Sequence, residues 1–145
     1  NIITDGHYEV HDGAFDRAVL GQGLAWKLGI GAHFITGLQV YAPKRHGKVN
    51  MLRPDMNFNR EGCFIAGTFA VNQQKYDDNL MLVDIGLTRR LLDYSEDEVT
   101  ALNLAIAEGY SAKQAKREIT SILGEEFQWL DRYEQQEDFF RILRV

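Results

Sequence analysis

Val19-Leu20-Gly21-Gln22-Gly23-Leu24-Ala25-Trp26-Lys27-Leu28-Gly29-Ile30 and, further along, Phe64-Ile65-Ala66-Gly67-Thr68-Phe69 are the segments whose reading decides the fold. In the first, Leu20, Leu24 and Leu28 recur four apart, with Val19 next to Leu20. That period predicts a helix over Phe15–Leu28. Gly29 is well placed to stop it, while Gly21 and Gly23 weaken its interior. The second segment reads as a strand over Gly62–Ala70. Between the two lies a polar stretch carrying both prolines, Pro43 and Pro54. Within it, Thr36–Ala42 sets Leu38, Val40 and Ala42 against Gln39 and Tyr41, the period-two pattern of a strand. Pro43 ends that strand. The connection that follows, Lys44–Glu61, is too long for a tight hairpin turn.

Outward from this centre, Asn1–Asp12 reads as a loop or edge strand. Leu80–Val83 reads as a short buried strand. Asp84–Tyr94 follows as a helix with Leu87 and Leu91 inward and Arg89 and Arg90 outward. Leu102, Leu104 and Ile106 alternate within Val99–Ala107, which predicts a strand, with helix as the rival because of the alanines. Ser111-Ala112-Lys113-Gln114 carries a capping-box signature. It opens a helix whose inner face is Ala112, Ala115, Ile119 and Ile122 and which closes at Gly124. Phe127–Leu130 reads as a short strand. A last helix starts near Asp131, with Tyr133, Phe140 and Leu143 on one side. Strands alternating with helices in the second half point to an α+β fold with a mixed sheet.

The 145 residues suit one domain or two small lobes sharing a core. With 45% hydrophobic and 26% charged residues, the chain can build a packed core and does not have a disordered composition. A net charge of −5 argues against a nucleic-acid binder, which needs cations to neutralise phosphates, and against an anionic membrane surface. No apolar run approaches the ~18–20 residues needed to span a bilayer. The chain starts at Asn1 rather than Met, and reads as a piece of something longer. The one cysteine, Cys63, reads as a small buried apolar residue.

Chemistry-bearing residues have plainer readings. His7 and His11 stand four apart near Asp5 and Asp12, a metal spacing on a helix. Gly6 and Gly13 bracket them, so they read as solvated loop residues. Gly21-x-Gly23 lacks the third glycine of a dinucleotide turn, because position 26 is Trp. Asp77-Asp78-Asn79 is ordinary turn chemistry between apolar runs. Asp77, Asp78 and Asp84 could suggest acid/base work, yet they read as turn or surface residues, and Ser95-Glu96-Asp97-Glu98 reads as a turn or a solvated face. Ser111 is explained by capping, Ser95 and Ser121 sit in polar stretches, and no nucleophile elbow exists. The expectation is a non-enzymatic chain with no catalytic residue, no cofactor and no metal.

Lys44–Glu61 is the unusual part. It joins flexible or large apolar side chains, Met51, Leu52, Met56 and Phe58, to the cations Lys44, Arg45, Lys48, Arg53 and Arg60. Methionine adapts its shape to varied partners, and apolar groups at a loop tip signal contact. The cations suit an acidic partner. The plainer alternative is a mobile surface hairpin with incidental apolar residues; on the reading as a partner-contacting arm, Met51, Leu52, Arg53, Pro54, Met56 and Phe58 are the candidate partner-binding residues.

The ordered set Leu20–Gly29, Leu38–Pro43, Phe64–Phe69, Tyr76-Asp77, Leu80–Val83, Leu87–Leu92 and Trp129–Phe140 resembles the extracytoplasmic domain of FtsX-like and MacB-like ABC transporter permeases. It is most similar to the lipoprotein-releasing (Lol-type) permease subunits. The likeness covers about residues 15–145 and departs from the family pattern at Gly31-Ala32-His33. It implies a MacB-like periplasmic core domain: a mixed-sheet βαβ-like lobe with an inserted β-rich lobe bearing a protruding hairpin. Residues 1–19 would be a remnant of the core lobe. Residues 20–83 would be the inserted lobe with its hairpin at about 44–61, and 84–145 the second half of the core lobe with a helix leading to a membrane span.

The resemblance further implies an inner-membrane parent protein with this part in the periplasm. A separate cytoplasmic ATPase and a second permease subunit would complete the complex, and the hairpin would capture a periplasmic lipoprotein carrier. Alternatives are an export or cell-division permease domain docking an adaptor or a hydrolase activator, a soluble small-molecule-binding α+β domain, and a purely structural oligomerisation domain.

Overall fold

A computed structural model describes residues 1–32, 37–132 and 134–135. The chain divides into two compact units, Asn1–Thr100 and Ala101–Val145. The first is an α+β unit built on a mixed sheet. Its elements are β1 (Ile3–Gly6), β2 (Arg17–Gly21), α1 (Gln22–Leu28), β3 (Leu38–Pro43), β4 (Phe58–Phe69), the single turn α2 (Gln74–Asp77), β5 (Met81–Val83) and α3 (Ile85–Leu92). Sheet order is β1-β4-β2-β5, with β3 also paired to β4. β2 runs parallel to β4, and every other pairing is antiparallel.

The expected helix over Phe15–Leu28 divides in two. Its first part is β2, where Ala18, Val19 and Leu20 are fully buried, and only Gln22–Leu28 is helical. The apolar spacing suited a helix, yet Val19 and Leu20 lie between two strands and take their conformation from the ladder. Gly29 does close α1, in the left-handed region at φ 67°. Gly21 and Gly23 serve close packing. A Cβ at Gly21 would run into the backbone carbonyl of Asp77, and one at Gly23 into the Asp78 carboxylate. This is why two poor helix formers stand at the β2–α1 junction.

The core joins β2, β4, α1 and α3: Ala18, Leu20, Ala25, Cys63, Ile65 and Leu87 form one buried cluster. Cys63 is buried as expected, and that burial pushes its thiol pKa upward, with the Asp16 charge adding to it. Asp84 caps α3 by accepting the Gly86 N–H at 2.8 Å. Between β1 and β2, the Asp12 carboxylate accepts the N–H groups of Phe15 at 2.8 Å and Ala14 at 3.0 Å, and Arg17 Nε at 2.8 Å. The Phe15 amide, then Arg17 and the Ala14 amide, hold its pKa down to about 2.

The second unit contains α4 (Ala112–Leu123). Its capping box forms: Gln114 N–H donates to Ser111 Oγ at 3.2 Å and Ser111 N–H to Gln114 Oε1 at 3.0 Å. Gly124 follows the helix as expected. Its apolar face is only partly covered: Ala115 and Ile119 are half-buried, while Ala112 and Ile122 are exposed.

Two expected strands are not formed. Val99–Ala107 is irregular, with Leu102, Leu104 and Ile106 exposed, because an alternating segment becomes a strand only beside a partner, and none pairs with it among the described residues. Phe127–Leu130 is irregular too. Thr36, His33 and most of the last expected helix, including Tyr133, Phe140 and Leu143, lie outside the described residues.

Leu20 is fully buried at the centre of this arrangement. Leu20→Ala is expected to lower unfolding free energy by about 2–5 kcal/mol in urea titrations. A loss below about 1 kcal/mol would show that the core does not close around β2.

Candidate functional site: the β3–β4 arm

β3 and β4 form an antiparallel hairpin, in register from Leu38↔Cys63 to Pro43↔Phe58. The ladder closes with Lys44 N–H donating to the Asn57 carbonyl at 2.8 Å. Lys44–Glu61, expected to be one long connection, is therefore partly strand: Phe58 to Glu61 belong to β4, and a single 3-10 turn, Pro54–Asn57, leads into it. Proline suits the first position of that turn, where an N–H has no partner to lose.

Two asparagines give the tip its shape. Asn50 N–H donates to Asn57 Oδ1 at 2.7 Å, and Asn57 Nδ2 returns a bond to the Asn50 carbonyl at 3.0 Å. Asn50 Oδ1 in turn accepts the N–H groups of Leu52 at 3.0 Å and Arg53 at 2.9 Å. The carboxamides take the place of a backbone ladder, so the loop closes on itself. Neither asparagine is among the residues that sequence reasoning singled out. The visible signal was the capacity of Asn side chains to build turns.

Of the expected partner-binding residues, Met51, Leu52, Arg53, Pro54 and Met56 lie on this tip and Phe58 is the first residue of β4. Leu52 is 95% exposed and Met51 83%, and Met56 and Phe58 are about half exposed. Val49, which sequence reasoning passed over, is 71% exposed beside them. Arg53 is paired with Asp55 at 3.1 Å, and Arg45 with Glu98 at 2.6 Å. Two of the expected cations are thus already engaged with carboxylates of the chain itself.

Other candidate residues have local partners. His7 bonds Glu9 at 3.0 Å, and His11 lies 3.4 Å from Asp16. Asp77 accepts the N–H groups of Val71 and Gln73, and Asp78 pairs with Lys27 at 3.3 Å. A hollow of about 320 Å³ is lined in part by His7, Glu9 and Arg17. Among the described residues no helix is long and apolar enough to cross a membrane.

No family model matches this chain, and no curated protein matches its sequence.

Asn57→Ala removes two bonds of the tip and touches no core residue. Amide exchange at Asn50 is expected to rise about tenfold, the equivalent of ~1.4 kcal/mol, while the exchange of β2 amides stays unchanged. Unaltered exchange at Asn50 would show that the carboxamides do not organise the loop.

Proposed function

We propose that this chain is the periplasmic module of a lipoprotein-releasing ABC transporter permease and that its β3–β4 arm docks a periplasmic lipoprotein carrier. The observation that carries the reading is the tip itself: Met51 and Leu52 stand almost fully in water on a loop held in shape by Asn50 and Asn57. Exposing large apolar side chains on a pre-shaped loop is unfavourable for an isolated domain and favourable for one that docks. Burial of Met51 and Leu52 supplies the driving force, at roughly 25 cal/mol per Å² of apolar surface. A loop already ordered loses less entropy on binding.

On this reading the first unit has a MacB-like arrangement, with residues 20–83 forming the inserted lobe. The parent protein sits in an inner membrane with this part outside the cytoplasm. ATP hydrolysis belongs to a separate cytoplasmic subunit and a second permease subunit completes the complex, so the arm needs no catalytic group of its own. Support comes from the ordered resemblance across residues 15–145 and from an arm formed at the place that resemblance assigns to the hairpin. An adaptor-docking or activator-docking permease domain would use the same exposed tip for another partner.

The test is a pull-down with a purified periplasmic lipoprotein carrier. Wild type is expected to retain the carrier. The triple variant Met51→Asp, Arg53→Glu, Met56→Asp is expected to lose it while keeping its unfolding midpoint, since all three residues are exposed. Equal retention by both proteins would overturn the docking reading. Retention of a periplasmic adaptor or hydrolase activator, and not of the carrier, would favour the alternative permease class.

A further inference from the structure

An exposed pair of charges adds little to stability by itself. The corner at the C-terminal end of α3 is more than a pair. Arg45, two residues past the end of β3 where the tip begins, donates from Nη1 to both carboxylate oxygens of Glu98, at 2.6 and 2.8 Å. Its guanidinium lies 5.0 Å from the centre of the Tyr94 ring. Its backbone N–H donates to Asp93 Oδ2 at 2.9 Å. Asp93 is the residue that ends α3, with φ 56°. From the other strand of the arm, Asn59 Nδ2 donates to the Leu91 carbonyl at 3.1 Å.

The far side of the corner is equally tied. Arg89 Nε donates to the Glu98 carbonyl at 3.1 Å. Glu98 N–H donates to the Ser95 carbonyl at 3.2 Å. The Tyr94 and Thr100 hydroxyls are 3.1 Å apart, and Thr100 is the last residue of the first unit. Among the described residues, the hydrogen bonds that residues 44–57 make beyond the hairpin all run through Arg45.

We propose that this Arg45-centred clamp is a conformational device: it sets the bearing of the β3–β4 arm and the path by which the chain leaves the first unit, so that releasing the corner frees both together. Arg45 is a positioning residue. Two carboxylate oxygens on one Nη1 and the Tyr94 ring beside the flat guanidinium fix its direction as well as its distance, which an ammonium on a flexible stem does less well. The Glu98 and Asp93 carboxyls are both held below their usual pKa range, each first by Arg45: by its side chain at Glu98 and by its backbone N–H at Asp93. If the arm is the docking element proposed above, the clamp governs how it is presented. The test uses this chain alone and does not depend on that reading.

The experiment measures interspin distances in the full chain with Cys63→Ala as background. One nitroxide sits on α1 (Trp26→Cys). The second is placed either on the tip (Leu52→Cys) or at the exit (Val99→Cys). All three positions are exposed. Narrow distributions are expected for both pairs with Arg45 present. Arg45→Ala is expected to at least double both widths, and the exchanged pair Arg45→Glu with Glu98→Arg to narrow them again. Glu98→Gln is read in the same way, and it decides the matter if Arg45→Ala does not fold. Unchanged widths in the folded variants, broadening of only one pair, or failure of the exchanged pair to restore them would overturn the shared clamp.

Discussion

Strand β4 must find hydrogen-bond partners for twelve residues of backbone, and no one neighbour supplies them all. Its C-terminal half lies between β1 and β2, where Phe64–Phe69 pairs with β2 and Gly67–Phe69 with β1. Its N-terminal half, Phe58–Cys63, pairs with β3. An unpaired buried backbone group costs free energy comparable to a lost hydrogen bond, so the buried half from Cys63 to Phe69 has to be paired. Phe58–Gly62 are exposed or half-buried, and there pairing with β3 carries the same strand out to the start of the tip. The arm is therefore an extension of the strand that also carries Cys63 and Ile65 into the core. Whatever holds β4 in place also holds the base of the arm.

That continuity explains which parts of the architecture were legible in the sequence. Local chemistry was readable: the Ser111 capping box, the glycine stops at Gly29 and Gly124, and the alternation of Leu38, Val40 and Ala42 all produce what their spacing implies. Conformations set by distant partners were not. Val19 and Leu20 carry a helical spacing but sit in the ladder between β4 and β5. Leu102, Leu104 and Ile106 carry a strand spacing but have no strand beside them among the described residues. Periodicity reports which faces are apolar; it does not report whether a neighbour is present to pair with them.

The candidate site divides along the same line. Met51, Leu52, Met56 and Phe58 were recognisable as large apolar side chains in a polar connection, and all four are exposed, the first three on the tip and Phe58 at the start of β4. The groups that shape and orient that tip were not. Asn50 and Asn57 act across seven residues, and Arg45 reaches Glu98 across 53. Such pairs leave no spacing signature in one sequence. The glycines at 21 and 23 belong to the same class. Their role is to let the α2 turn approach β2 and α1, a contact invisible until the chain is folded.

β4 acts as one cooperative strand from the core to the start of the tip. Native-state hydrogen exchange followed residue by residue in increasing denaturant tests this directly. The amides bonded on both halves of β4 are expected to converge on a single opening free energy, the same as that of β2, while Leu52 and Arg53 exchange through local opening at a much lower one. If the Phe58–Cys63 half opens well before the Phe64–Phe69 half, the arm is an independent hairpin, and the central claim is contradicted.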